Sequence, residues 1–311
     1  MSEPAVMLDG LVKRYGAVEA LRGVSLTVAG GQMFGIIGPD GAGKTTTIRT
    51  ICGLLHPDGG RVRVLGRDPV RDHASLTHDV GYLSQRFSLY GDLSVDENIA
   101  FFAEIHGVRR YEARRTRLLD LTRLTPFRSR LADRLSGGMK QKLALACTLI
   151  HEPRLILLDE PTTGVDPVSR REFWKLLAEF LEHGITIVVS TPYLDEAERC
   201  ATVVLLHEGR VLACDTPGAL REALPGRIVE ASGPDQAAIV GAAETLDGVE
   251  DVQMFGDRVH VRFGAGATHD AAPRLGLHFE ARGVRIRQLR EVQASLEDVF
   301  IGRLGSRGEG A

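Results

Sequence analysis

Short, unbroken apolar runs alternate with stretches of helical period through the first two thirds of this 311-residue chain. Met33-Phe34-Gly35-Ile36-Ile37, Leu155-Ile156-Leu157-Leu158 and Ile185-Thr186-Ile187-Val188-Val189 lack polar alternation and read as strands buried on both faces. Each is followed by polar turn residues and then a helical pattern, which predicts an α/β domain around a largely parallel sheet. The rhythm changes at residues 94–124. Ser94-Val95-Asp96-Glu97 has the form of a capping box opening a helix, and a second helix is expected from Tyr111 to Leu124, ended by Pro126. Two helices without an intervening strand predict a helical lobe inserted at about residues 90–150.

Beyond Gly218 the pattern changes again. Arg227–Ser232 reads as a strand and Asp235–Leu246 as a helix, while Val252–Phe255 and Arg258–Phe263 flank a Gly256-Asp257 hairpin turn. A helix near Asp270–Arg282 and a strand at Val284–Leu289 complete β-α-β-β-α-β, the order of a split-βαβ, ferredoxin-like α+β unit. A last helix is expected from Ser295 to about Ile301, and the tail from Gly305 to Ala311 is expected to fray. The expected domains are therefore residues 1–221 and 222–311.

Composition narrows the function classes. Thirty-eight Lys and Arg against 41 Asp and Glu give a net charge of −3, which argues against a dedicated nucleic-acid binder. Cys52, Cys147, Cys200 and Cys214 form no C-x-x-C, so neither a disulfide framework nor a zinc site is expected and the cysteines fit a cytosolic chain. Cys147 reads as a core residue. The N-terminus lacks the basic and apolar regions of a signal peptide, and no apolar run approaches the length of a membrane span. The basic face formed by Arg109, Arg110, Arg114, Arg115 and Arg117 reads as a solvated helix surface.

The first buried strand runs straight into Gly38-Pro39-Asp40-Gly41-Ala42-Gly43-Lys44-Thr45, followed by Thr46. This is G-x-x-x-x-G-K-[ST] between a strand and a helix, the context that makes the pattern a phosphate-binding loop. Glycines let backbone N–H groups turn onto phosphate oxygens at the positive end of the following helix. Lys44 adds a point charge for the β- and γ-phosphates, and Thr45 offers a hydroxyl to Mg²⁺. Asp159 and Glu160 end the strand Leu155–Leu158, at the edge where α/β sheets place ligands. Asp159 suits the Mg²⁺ shell, and Glu160 suits polarising a water for attack on the γ-phosphate.

Leu135-Ser136-Gly137-Gly138-Met139-Lys140-Gln141 resembles the signature motif of ABC-type ATPases. Physically it is another glycine-rich helix N-terminus. The resemblance covers about residues 5–221 and implies that two such domains sandwich two ATP molecules, each signature (Ser136, Gly137, Gly138 and Gln141 here) serving the partner's nucleotide. It also implies that Gln85 matches the loop linking the site and its Mg²⁺ to a membrane subunit. Gly164-Val165-Asp166-Pro167 matches the D-loop, and Tyr15 stands where an aromatic stacks on adenine. The ending Ser295-Leu296-Glu297-Asp298-Val299-Phe300-Ile301 is similar to the C-terminal accessory domain of ABC-2, daunorubicin-resistance-type efflux ATPases.

The resemblance thus implies an ATP- and Mg²⁺-dependent subunit, peripheral on the cytoplasmic face of the membrane. It would dock on an ABC-2-type permease and pair with a second ABC ATPase, identical or different. Equally, the chain would fit one half of a design that relatives carry as a fused pair. Its cargo would be a hydrophobic drug or antibiotic-like compound. A soluble ABC protein of ribosomes or DNA is less well matched, because the chain carries one ATPase unit and no heptad run.

Two departures bear on mechanism. After the strand ending at Val189 the family has Thr-His, whose imidazole contacts the γ-phosphate, whereas this chain reads Ser190-Thr191-Pro192-Tyr193. Neither His183 nor His207 falls in register. Asp40 stands where relatives carry a neutral residue, and a carboxylate beside phosphates must turn outward or pair with a cation. Reduced or partner-dependent hydrolysis is therefore expected, with a hydrolysis-poor nucleotide-binding module as the alternative.

Overall fold

Strands with alternating buried and exposed positions build one layer of the first unit, and the unbroken apolar runs build another. The computed structural model describes residues 3–85, 88–267 and 270–308. In it β1 (Val6–Tyr15), β2 (Val18–Val28) and β4 (Gly59–Val64) form an antiparallel sheet of order β2-β1-β4. Between β2 and β4 lie β3 (Met33–Ile37) and α1 (Lys44–Ile51). Then follow α2 (His73–Leu76), β5 (Val80–Leu83), α3 (Val95–Ile105), α4 (Glu112–Leu121), α5 (Gly137–Leu149) and β6 (Leu155–Asp159). The unit ends with α6 (Pro167–Glu182), β7 (Thr186–Thr191), α7 (Leu194–Ala197), β8 (Thr202–His207) and β9 (Arg210–Asp215).

The second sheet has the order β5-β6-β7-β3-β8-β9 and is parallel up to the β8–β9 hairpin. Val6, Leu8, Val24 and Leu26 of the antiparallel sheet join Phe34, Ile36, Leu157 and Val188 of the parallel one in a single core. Register brings the chemistry to one edge: Ile37 pairs with Thr191, and Asp159 with Ser190. β7 runs two residues past its last expected position, Val189, because Ser190 and Thr191 find hydrogen-bond partners there.

The helical lobe opens with the expected capping box. Glu97 N–H donates to Ser94 Oγ at 3.2 Å, and Ser94 N–H donates to Glu97 Oε2 at 2.7 Å. α4 stops at Leu121, short of the expected Leu124, in a Schellman closure. Arg123 adopts φ 59°, and Leu124 N–H donates to the Leu119 carbonyl at 2.8 Å while its side chain is buried.

The second unit begins at Pro217, ahead of the expected boundary at 222, because α8 (Pro217–Glu222) packs on α11 (Leu296–Gly308) of that unit. Between them lie β10 (Arg227–Ser232), α9 (Gln236–Ala243), β11 (Val249–Phe255), β12 (Arg258–Phe263), α10 (Ala271–Ala281) and β13 (Gln288–Val292). The sheet is antiparallel with order β11-β12-β10-β13, the split-βαβ arrangement. Val229, Val261 and Phe263 pack on Ile239 and Phe279. The last strand lies at Gln288–Val292 rather than Val284–Leu289, since Val284 and Ile286 pack on the core from the connection after Gly283. Among the described residues no helix is long and apolar enough to cross a membrane.

Candidate functional site

The loop after β3 is shaped by two glycines. A Cβ at Gly38 would overlap the Leu206 carbonyl oxygen, and Gly43, capping α1, has φ 102°. With Pro39, Asp40, Gly41 and Ala42 they turn the chain so that Lys44, Thr45 and Thr46 form the first turn of α1. The Lys44 ammonium is buried. It donates to the carbonyls of Gly38 (2.8 Å) and Pro39 (3.0 Å) and stands 3.0 Å from Glu160 Oε1. The Asp40 side chain is 95% exposed and reaches Lys44 only at 3.9 Å, so it turns outward from the loop.

Asp159 is fully buried at the end of β6. Its Oδ1 accepts from Thr45 Oγ1 (3.0 Å) and Ser190 Oγ (2.8 Å), while Oδ2 is buried with no hydrogen-bond partner. Burial pushes its carboxyl above the usual range, and the two hydroxyls only partly offset that. Glu160 holds φ 49°, a left-handed conformation costing about 1–3 kcal/mol for a residue with a side chain. The turn is fixed by its N–H, which donates to Ser190 Oγ (3.0 Å) and the Ser190 carbonyl (3.1 Å). It aims the carboxylate back into the site, where Gln85 Nε2 donates to Oε2 at 3.0 Å. Ser190 thus orients both acidic residues; its only sequence signal is a hydroxyl ending an apolar strand.

A cavity of about 600 Å³ opens at this point, lined among others by Tyr15, Gly41, Lys44, Thr45, Gln85 and Glu160. Its volume lies in the range of small-molecule sites. The Tyr15 ring is 48% exposed at its mouth. Among the described residues no histidine lines the cavity.

The remaining candidates lie elsewhere. Ser136 caps α5 by accepting from Met139 N–H at 3.3 Å, and Gly137 beside it is exposed. Gly138 packs against Ser169 of α6, where a Cβ would overlap that side chain. Gln141 is wholly buried with both amide atoms unpartnered, so it does not share the exposed face of Ser136 and Gly137. Asp166 caps α6, accepting from Val168 N–H (3.1 Å) and Ser169 N–H (3.0 Å); the Ser169 hydrogen bonds hold its carboxyl below the usual range.

Residues 21–163 match the ABC transporter family. Over 314 residues the chain is 40% identical to the probable multidrug ABC transporter ATP-binding protein YbhF of Escherichia coli (strain K12), covering 99% of this chain and 53% of that protein. It therefore spans about half the length of that relative. It is 34% identical over 310 residues to the daunorubicin resistance ATP-binding protein DrrA2 of Streptomyces coeruleorubidus, covering 98% of this chain and 96% of that one. The fold is similar to that of a dimeric, post-hydrolysis ATP-binding cassette bound to ADP and Pi, at a TM-score of 0.61 and 27% identity over 68% of this chain and 98% of that one. A shared nucleotide-binding fold and near full-length similarity to DrrA2 lead to one assignment: the chain belongs to the family of ABC transporter ATP-binding proteins.

Proposed function

We propose that the chain is the ATP-binding subunit of an ABC-2-type exporter, coupling ATP binding and hydrolysis to efflux of a hydrophobic, antibiotic-like compound through a separate permease. The observation that carries the site is the orphaned Asp159 Oδ2 beside the Thr45 hydroxyl, at the foot of a phosphate loop. These are hard oxygen donors, and Mg²⁺ usually takes one or two protein ligands with the rest from phosphates and water. The donor set fits, with Thr45 and Asp159 as its protein ligands and Gln85 beside them. The bound ion would neutralise charge on the phosphate oxygens. The α1 N-terminus and Lys44 bind the β- and γ-phosphates, Tyr15 stacks on the base, and Glu160 polarises the attacking water.

The exposed Ser136, Gly137 and Asp166, absent from this chain's own cavity, support service to a partner's nucleotide across a dimer. The dimeric cassette with ADP and Pi supports the same reading. An identical partner, a different subunit or the other half of a fused chain would each complete the sandwich, and the double length of YbhF favours the third for that relative. Peripheral location on the cytoplasmic face follows from docking on the permease. Pro192 and the cavity without a histidine support reduced hydrolysis in the absence of a partner. Titration of ATP with and without Mg²⁺, turnover assays, and identification of the co-purifying membrane protein test the proposal. A chain that binds no ATP would overturn it.

A further inference from the structure

A carboxylate outside the cavity ties together the loops on either side of it. Glu196, on α7, is only 1% exposed. Its Oε1 accepts from Thr162 Oγ1 (2.6 Å) and Trp174 Nε1 (3.1 Å), and its Oε2 accepts from Thr191 Oγ1 (2.5 Å). Arg170 Nε stands 3.7 Å from Oε1. Thr162 lies two residues beyond Glu160, Trp174 is on the helix capped by Asp166, and Thr191 immediately precedes Pro192. Thr191 Oγ1 also accepts from Tyr193 N–H at 3.1 Å, so the bond to Glu196 fixes the backbone on both sides of the proline.

A buried carboxylate is costly unless it is hydrogen-bonded and charge-compensated. Apolar residues would fill the same space at lower cost, yet none would join three donors from three segments. Pro192 offers no side-chain donor, so the bearing of Glu160 on its water depends on the framework of the two loops. Small misplacements of reacting groups reduce rate steeply. We propose that Glu196 is a positioning residue for ATP hydrolysis, clamping the loop after Glu160 to the loop carrying Pro192. The inference rests on the ATPase reading above.

Trp174 is the only tryptophan of the chain, so its emission reports on the clamp directly. The test compares the parent chain with Glu196→Gln, Thr162→Val and Thr191→Val in turnover, ATP affinity, melting and tryptophan emission. Glu196→Gln, which keeps shape and one acceptor, should lower kcat about ten- to a hundredfold while KM for ATP stays within about twofold. Its Trp174 emission should shift before any nucleotide is added. Each threonine variant should lower kcat, and combining either with Glu196→Gln should add little, as expected for one connected network. Parent-like kcat in a folded Glu196→Gln would overturn the clamp. So would a joint loss of kcat, affinity and melting temperature in all three variants, which marks a purely structural role. A parent that binds ATP but hydrolyses none would overturn the clamp alone, and a parent that binds no ATP would overturn the ATPase reading with it.

Discussion

The Lys44 ammonium stands 3.0 Å from Glu160 Oε1, and Gln85 holds the other oxygen of the same carboxylate. The cation proposed for the phosphates and the proposed water-polarising base are thus partners in one buried ion pair. Under the proposed function, phosphate oxygens would compete with Glu160 for Lys44, and ATP binding would release the carboxylate towards the water.

Glu160→Gln removes the competitor without removing the loop. ATP affinity should rise about two- to tenfold, or roughly 0.4–1.4 kcal/mol. Turnover should fall by at least about a hundredfold, within the usual contribution of a positioned base. Calorimetry and light scattering should show tight binding and a persistent nucleotide-bound dimer. Parent-like turnover would remove Glu160 from the mechanism.

Lys44→Ala should abolish tight ATP binding and also destabilise the first unit, because it leaves Glu160 buried without its cation. Removing one partner of a buried pair typically costs about 3–5 kcal/mol. Adding Glu160→Gln to that variant should recover much of the melting temperature while ATP binding stays lost. Recovery of binding in the double variant would show that Lys44 acts only through Glu160.

The loop between β3 and α1, the place of Asp159 and Glu160 at the end of β6 and the split-βαβ unit were legible because each rests on a local pattern: a glycine spacing, an apolar run, a hairpin turn. Long-range partners were not. Nothing in the chain text announces that Ser190 would fix the Glu160 backbone or that Glu196 would gather Thr162, Trp174 and Thr191, since each is one polar residue beside an apolar stretch. Gln141 shows the opposite error. It sits in a recognisable motif, yet helical spacing turns its side chain into the core. The α4 end and β13 were misplaced by closures, the Arg123 left-handed turn and the packed Val284–Ile286 connection, that only tertiary contacts decide.

Every residue lining the cavity precedes Pro217. A chain of residues 1–216 should therefore keep ATP affinity within about threefold, a difference of under roughly 0.7 kcal/mol. A chain ending at 222 should bind equally but expose the apolar side of α8, whose packing partner α11 is gone, and so aggregate more on light scattering. Loss of ATP binding in residues 1–216 would mean that the second unit completes the site.

The two units should respond to pH in opposite directions. In the first, His106 and His151 stack at 3.9 Å; burial, and then His106, pull His151 down to about 4. Its folded pKa lies below the ordinary 6.5, so its contribution is present above pH 6.5 and is lost as pH falls towards about 4. In the second, burial opposes the charged forms of His260 and Asp298, but their mutual hydrogen bond at 3.0 Å and opposite charges, with Glu230 beside His260 and the Ser295 hydrogen bonds to Asp298, together outweigh it. His260 is raised and Asp298 lowered, so the pair stabilises fully between about 3.8 and 6.5. That contribution is lost as pH rises through the raised histidine value. Separate melting of the two units at pH 5.5 and 8 should show the first gaining and the second losing stability with rising pH. Asp298→Asn should abolish the second trend.

Pro192 supplies the most discriminating substitution. It is held in place by Thr191, whose hydroxyl donates to Glu196 at 2.5 Å and accepts from Tyr193 N–H at 3.1 Å. The loop path is thus set largely by groups other than the proline ring, and a histidine at this position should follow nearly the same course. An imidazole donor for the γ-phosphate and the water is worth about 10²–10⁴ in rate when fully positioned. Full recovery is not expected, because losing the proline frees φ at this position and lifts its extended restraint on Thr191, so the imidazole is held less firmly than a fully positioned donor. Pro192→His should raise turnover about tenfold, near 1.4 kcal/mol off the barrier. ATP affinity should change less, since on the proposed reading the loop after β3 and Lys44 already hold the phosphates. Combining Pro192→His with Thr191→Val should cancel the gain, because the loop then loses its anchor. A parent that already turns over rapidly, with no gain from the histidine, would show that another group orients the water.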